Sequence, residues 1–163
     1  MPKLYFITGA EGVGKSSIIP LLKKQFPKIE IHDFDEVGVP ENPALQWRYN
    51  TTLHWLEIAI ENQKRAQSTI IAGLSFPNEV SKFKEYKKIK IVFCLLDVHK
   101  KERENRLQKR NAPKELINDL YQLHLLRKKL KITKFEKKII NTTNMSIKQT
   151  AEKIINWIKV KEK

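Results

Sequence analysis

Five short apolar runs alternate with longer stretches in which apolar residues recur every three or four positions. The runs are Lys3 to Thr8 (K-L-Y-F-I-T), Lys28 to His32 (K-I-E-I-H), Ser68 to Leu74 (S-T-I-I-A-G-L), Ile89 to Leu96 (I-K-I-V-F-C-L-L) and Lys137 to Asn141 (K-K-I-I-N). Most are near-continuously apolar, the pattern of parallel strands buried on both faces. Helical spacing follows Ser16 (S-I-I-P-L-L-K-K-Q-F), with Pro20 expected near the first turn, where its missing N–H does least harm. It returns from Ala44 to about Gln67, where Trp47 and Trp55 read as core residues, and again over residues 114–131. A last helix begins at Ser146, whose hydroxyl suits an N-cap, and carries Ile147, Ala151, Ile154, Ile155 and Ile158 on one stripe. Val37 to Pro43 and Asn111 to Pro113 are breaks, and Asn78 to Lys87 is a short exposed helix or loop. Strands alternating with helices predict one α/β domain over residues 1–163, a three-layer α/β/α sandwich around a five-stranded parallel sheet.

The chemistry concentrates after the first strand. Gly9 to Ser16 reads G-A-E-G-V-G-K-S and matches G-x-x-x-x-G-K-[ST], a phosphate-binding loop. Gly9, Gly12 and Gly14 let the backbone turn its N–H groups inward, so Gly9, Ala10, Glu11, Gly12, Val13, Gly14, Lys15, Ser16 and Ser17 are expected to hold a nucleotide. Lys15 reaches the β- and γ-phosphates, and Ser16 offers a hydroxyl to Mg²⁺. The expected cofactors are therefore ATP and Mg²⁺; no guanine-reading N-K-x-D stretch is present, which favours ATP over GTP. Strand, loop and helix occur in the order the motif requires.

The second strand runs into Asp33-Phe34-Asp35-Glu36. Ligands of open α/β sheets bind beyond the carboxyl ends of the strands, so Asp33 and Asp35 are expected to face the phosphates. One acid would orient Mg²⁺-bound water; the other would accept a proton from an acceptor hydroxyl. The same residues could instead form a polar turn with an acidic cap. Arg48, a cation early in the next helix, would grip an anionic group of the acceptor or form a salt bridge. Arg103, Arg106 and Arg110 share one helix face. The row is expected to clamp a transferring phosphoryl group, with Arg106 and Arg110 as catalytic members, or to be a solvated face paired with Glu102 and Glu104. His99 reads as a surface residue.

Charge and cysteine content adjust this picture only slightly. The net charge of +14 makes nucleic acid a partner to consider, but the lysines are spread along the chain without interleaved aromatics and read as a solvated surface. No apolar run reaches membrane-spanning length, and no signal-like segment precedes the first strand. Cys94 is single and lies in an apolar run, so a reducing, cytoplasmic setting is expected, with the protein a monomer or homodimer.

These motifs resemble those of the small P-loop kinases, the nucleoside monophosphate, shikimate and gluconate kinase-like group. The resemblance covers most of the chain. D-F-D-E is similar to the D-x-D of shikimate kinase and dephospho-coenzyme A kinase, which implies Mg²⁺ on Asp33 and the acceptor alcohol on Asp35. The arginine row resembles the start of the lid, here about residues 103–131, and I-N-T-T-N-M-S resembles the border of the adenine pocket. An acceptor region over about residues 35–66 and strand order 2-3-1-4-5 are implied as well. The D-F-D-E-x-G-V-P stretch with its following W-R pair also resembles bacterial ATP-binding proteins of no assigned substrate. Two features depart from the group: A-G-L-S-F-P stands where nucleoside monophosphate kinases carry D-G-[FY]-P-R, and the triple-glycine run of shikimate kinase is missing. The expected function is transfer of the γ-phosphate of Mg-ATP to a small acceptor, a nucleoside or nucleotide or a small hydroxy compound. The alternative is a nucleotide-binding switch or slow ATPase without such an acceptor, contacting nucleic acid through its charge.

Overall fold

The computed structural model describes all residues 1–163. Its strands are β1 Lys3–Thr8, β2 Glu30–Asp33, β3 Thr69–Ala72, β4 Lys90–Asp97 and β5 Glu136–Asn141. They pair in parallel in the order β2-β3-β1-β4-β5, the order the kinase resemblance implies. The helices are α1 Lys15–Gln25, α2 Leu45–Lys64, α3 Pro77–Val80, α4 Lys100–Lys109, α5 Lys114–Asn118, α6 Tyr121–Ile132 and α7 Ile147–Glu162.

Strand alternation divides the core. Tyr5 and Ile7 of β1 point to the side covered by α1 and α7, with Ile18, Leu22, Ile154 and Ile158. Leu4 and Phe6 point to the side covered by α2 and α6, with Trp55, Leu56, Leu126 and Leu130. Both faces of the sheet are buried, which is why its strands read as unbroken apolar runs. Cys94 lies inside this core, where burial pushes its thiol up to about 12 and leaves it unreactive.

Three local expectations change. Helix α1 starts at Lys15, so Pro20 falls in its second turn rather than its first and leaves the Ser16 carbonyl without the N–H four residues on. Residues 114–131 form two helices, α5 and α6, because Asp119 takes extended angles and its carboxylate accepts the N–H of Tyr121. The segment read as exposed from Asn78 to Lys87 buries Glu79 and Val80.

Candidate active site

The loop between β1 and α1 is held from below by apolar contacts. Ala10 and Val13 are fully buried, and Val13 joins the core beside Ile7 and Leu96. These two residues can therefore offer only backbone to a ligand. A β-carbon at Gly9 would meet the Leu96 carbonyl at 2.8 Å, and Gly12 and Gly14 have φ values of +88° and +94°. Glycine is required at each for steric or conformational reasons. The Lys15 ammonium turns back into the loop and donates to the carbonyls of Gly9 at 2.6 Å and Ala10 at 2.9 Å. Burial there lowers its pKa to about 8, against the opposing pull of Glu11, Asp35 and Asp33; Arg110 adds to the lowering.

Opposite the loop, β2 ends in a capped acidic turn. Asp33 Oδ1 accepts the N–H of Asp35 at 2.9 Å, and Glu36 accepts the N–H of Asp33 at 3.1 Å, a reciprocal capping box. Asp33 Oδ2 accepts from the Ser16 hydroxyl at 2.8 Å. One oxygen of Asp33 thus caps the turn, as the polar-turn reading expects, and the other meets the phosphate loop. Asp35 follows in a 3₁₀ turn over Phe34–Val37. Its pKa is raised, first by burial and then by Asp33 and Glu11, while Arg48 and Lys15 draw it down.

A cleft of about 260 Å³ joins these parts, lined by Glu11, Lys15, Ser16, Asp33, Asp35 and Arg110 together with Gly12, Gly14, Ser17, Gly73 and Leu74. Gly73, just past β3, explains why no acid follows that strand. A β-carbon there would sit 2.3 Å from that of Phe34. The wall therefore has no room for an acidic side chain, and the carboxylates come from β2.

The arginine row divides by environment. Arg103 is 1% exposed. It donates to the Glu11 carbonyl at 2.9 Å and to the Leu116 and Ile117 carbonyls at 3.1 Å each, tying the phosphate loop to α5. Arg106 is bound to Glu102 at 2.9 Å and to the side chain and carbonyl of Thr142, and does not line the cleft. Arg110 lines the cleft, 3.8 Å from the Glu11 carboxylate. Within the segment expected to form the lid, Leu126 and Leu130 pack into the core and Arg103 is buried, so its longest mainly exposed stretch is residues 108–115, with Ala112 half-buried.

Arg48 forms an ion pair that is largely shielded from solvent. It meets the Glu79 carboxylate with two nitrogens, at 3.1 and 2.8 Å, and donates to the Leu74 carbonyl at 2.9 Å. Its guanidinium lies 5.5 Å from the ring centre of Phe34 and 5.2 Å from that of Phe76. Glu79 is a residue the sequence reading did not single out; it sits in the short segment read as exposed, with nothing in the pattern to mark it. The tryptophans also do more than fill the core: Trp55 Nε1 donates to the Phe34 carbonyl and Trp47 Nε1 to the Gly38 carbonyl, so α2 grips both ends of the acidic turn. His99 is exposed at the N-cap of α4. The segment after β5 lines a separate groove of about 800 Å³ with His99, Asn141 and Trp157, which shares no residue with the cleft.

No family model matches the chain, and no curated protein matches it. Solved structures do match over nearly the whole length. A sugar kinase from Janibacter sp. HTCC2649 superposes with a TM-score of 0.72 at 13% identity, covering 98% of this chain and 95% of that one. Shikimate kinase from Bacteroides thetaiotaomicron gives 0.59 at 18% identity, covering 96% and 98%. Deoxyadenosine kinase from M. mycoides gives 0.56 at 18% identity, covering 96% and 99%. The fold is that of the small P-loop kinases.

Proposed function

We propose that this protein is a phosphotransferase that moves the γ-phosphate of Mg-ATP to a hydroxyl of a small acceptor. One observation carries the reading: a phosphate loop and a pair of carboxylates face each other across a single cleft, joined by the bond from Ser16 to Asp33. A bare nucleotide-binding loop has no need of the second acid.

The cleft suits a hard divalent ion. Its donors are oxygens, and it holds carboxylates of Glu11, Asp33 and Asp35 against the cations Lys15 and Arg110. A nucleoside triphosphate alone would meet excess negative charge there. Ser16 and Asp33 would hold Mg²⁺; no cluster of three or more His, Cys, Asp or Glu residues offers a denser site. Few protein ligands suit Mg²⁺, which keeps water and phosphate oxygens in its shell. Bound there, the ion would neutralise charge on the transferring group.

The loop N–H groups and Lys15 hold the β- and γ-phosphates. Arg110 stabilises charge on the transferring group from the lid side. Arg106 reaches it only by exchanging its bonds to Thr142. Asp35 orients the acceptor hydroxyl and takes its proton as the oxygen–phosphorus bond forms; the bond to the ADP oxygen breaks and ADP leaves. Its raised pKa makes it a stronger base than an ordinary aspartate.

The decisive experiment measures ADP release from Mg-ATP against nucleosides, nucleoside monophosphates, sugars and small hydroxy acids, with Asp35→Asn as control. An acceptor-dependent rate lost in the variant is expected. ATP turnover indifferent to every small acceptor, but raised by RNA or DNA, would overturn the reading in favour of a nucleic-acid-dependent ATPase.

A further inference from the structure

The phosphate and acceptor ends of the cleft differ in charge. Arg48 is the only Lys or Arg between residues 29 and 63, the stretch that carries the acidic turn and most of α2, against seven acids from Glu30 to Glu61. This is a reversal within a chain of net charge +14. The one cation is already engaged: Glu79 takes two of its nitrogens, the Leu74 carbonyl takes a further bond, and two aromatic rings flank it. Leu74 lines the cleft, so this pair stands directly behind its wall. The remaining cations of the lining, Lys15 and Arg110, belong to the phosphate loop and the lid. Beside Asp35 the chain exposes Val37, Val39 and Leu45, which are apolar and uncharged.

Building on the phosphotransferase reading, we infer that the acceptor is a hydroxyl compound without negative charge, a polyol, sugar, nucleoside or amino sugar, and that Glu79 sets this preference by neutralising Arg48. An acceptor carboxylate or phosphate would find Asp33 and Asp35 facing it, with Arg48 paired to Glu79 and with Lys15 and Arg110 committed to the phosphates of ATP. An acceptor amine would be drawn by the same field. Nucleoside monophosphates and hydroxy acids are thereby excluded from the acceptor classes.

Equilibrium binding tests this independently of turnover. Glucosamine, glucose and gluconate, and uridine with its 5′-monophosphate, are titrated calorimetrically into the full-length protein saturated with Mg-ADP. ADP release with Mg-ATP is followed on the same compounds. The expected order is amine first, then neutral compound, with the acid at least tenfold weaker. Glu41→Lys, an exposed change, raises the amine Kd at least threefold and lowers that of the acid. The same reversal at the remote Glu152 shifts neither. Glu79→Gln narrows the gap between neutral and acidic compounds, and Arg48→Gln with Glu79→Gln restores it, which separates the charge effect from a folding defect. Tightest binding by the acids, or no discrimination, overturns the inference even when ADP is released. The expected binding order with no ADP release from any compound supports the charge assignment and overturns the phosphotransferase reading instead.

Discussion

Ser16 and Asp33 come from opposite sides of the cleft and meet at 2.8 Å, hydroxyl to carboxylate. The first residue lies in the first turn of α1; the second ends β2, two strands away from β1 in the sheet. Asp33 also caps the acidic turn through its other oxygen. Asp33→Asn therefore separates two roles. Asparagine caps as well as aspartate does, so stability should hold to within about 0.5 kcal/mol. The charge that would hold Mg²⁺ is lost. The Mg²⁺ concentration needed for half-maximal ADP release should rise at least tenfold, read from a metal titration at fixed ATP.

Lys15 should make the proposed nucleotide binding depend on pH. In the free protein burial lowers its pKa from 10.5 to about 8. Phosphate oxygens favour the charged form and would raise it again. Binding at pH 8 to 9 should then take up a proton, with affinity constant below about pH 8 and weakening as pH rises further. Calorimetry in buffers of different ionisation enthalpy checks the uptake. For folding the sign is opposite. The unfolded lysine holds its proton more tightly, so this residue costs stability below about pH 8, and the cost fades as pH rises towards 10.5.

Asp35→Asn should abolish acceptor-dependent turnover while leaving the ligand-free protein as stable as before or slightly more so. Burial, Asp33 and Glu11 all disfavour its charge, and removing that charge relieves them. Because the residue is only partly buried, solvent screens much of the effect, and a gain of about 1–2 °C in Tm is expected at neutral pH. A large loss of Tm would show that the carboxylate is structural. In acid the gain disappears, since the native carboxyl protonates first as pH falls through its raised value.

Arg103→Met should destabilise the fold by about 2–4 kcal/mol, because the part-buried carbonyls of Glu11 and Ile117 lose this donor and that of Leu116 keeps only the longer bond from the Asp119 N–H. Tm would drop by roughly 5–10 °C. Nucleotide affinity should fall with it, as the Glu11 carbonyl is released from α5; thermal melts with and without Mg-ATP distinguish the two losses.

Gly73→Ala should cost about 1–3 kcal/mol by overpacking, since the new β-carbon cannot share space with Phe34. Phe34 lies between Asp33 and Asp35, so any relaxation moves the acids. A fall in kcat larger than the rise in KM for ATP is the expected kinetic signature.

Much of this molecule is local in origin and so legible residue by residue. The apolar runs marked the strands because a doubly covered sheet needs no polar face. Gly9 to Ser16 announced the phosphate loop because its chemistry depends on glycine conformations and on two side chains at set spacing. Asp33 and Asp35 followed from the end of a strand. The arginines were different. Three residues on one helix face look equivalent in sequence, yet the fold buries Arg103 under the loop, binds Arg106 to Thr142 and leaves Arg110 at the cleft. Glu102, four residues from Arg106, was a partner the sequence offered, but the others are the Glu11 carboxylate beside Arg110 and carbonyls and a hydroxyl that any sequence supplies, the carbonyls placed by chain segments up to 92 residues apart. Arg48 and Glu79 are likewise 31 residues apart, and Glu79 carries no pattern of its own. The sequence by itself determined the sheet, the loop and the acids, because those rest on periodicity and on local backbone geometry. Only the tertiary structure decided which charges remain free to meet a ligand, because pairing depends on distance in space and on burial.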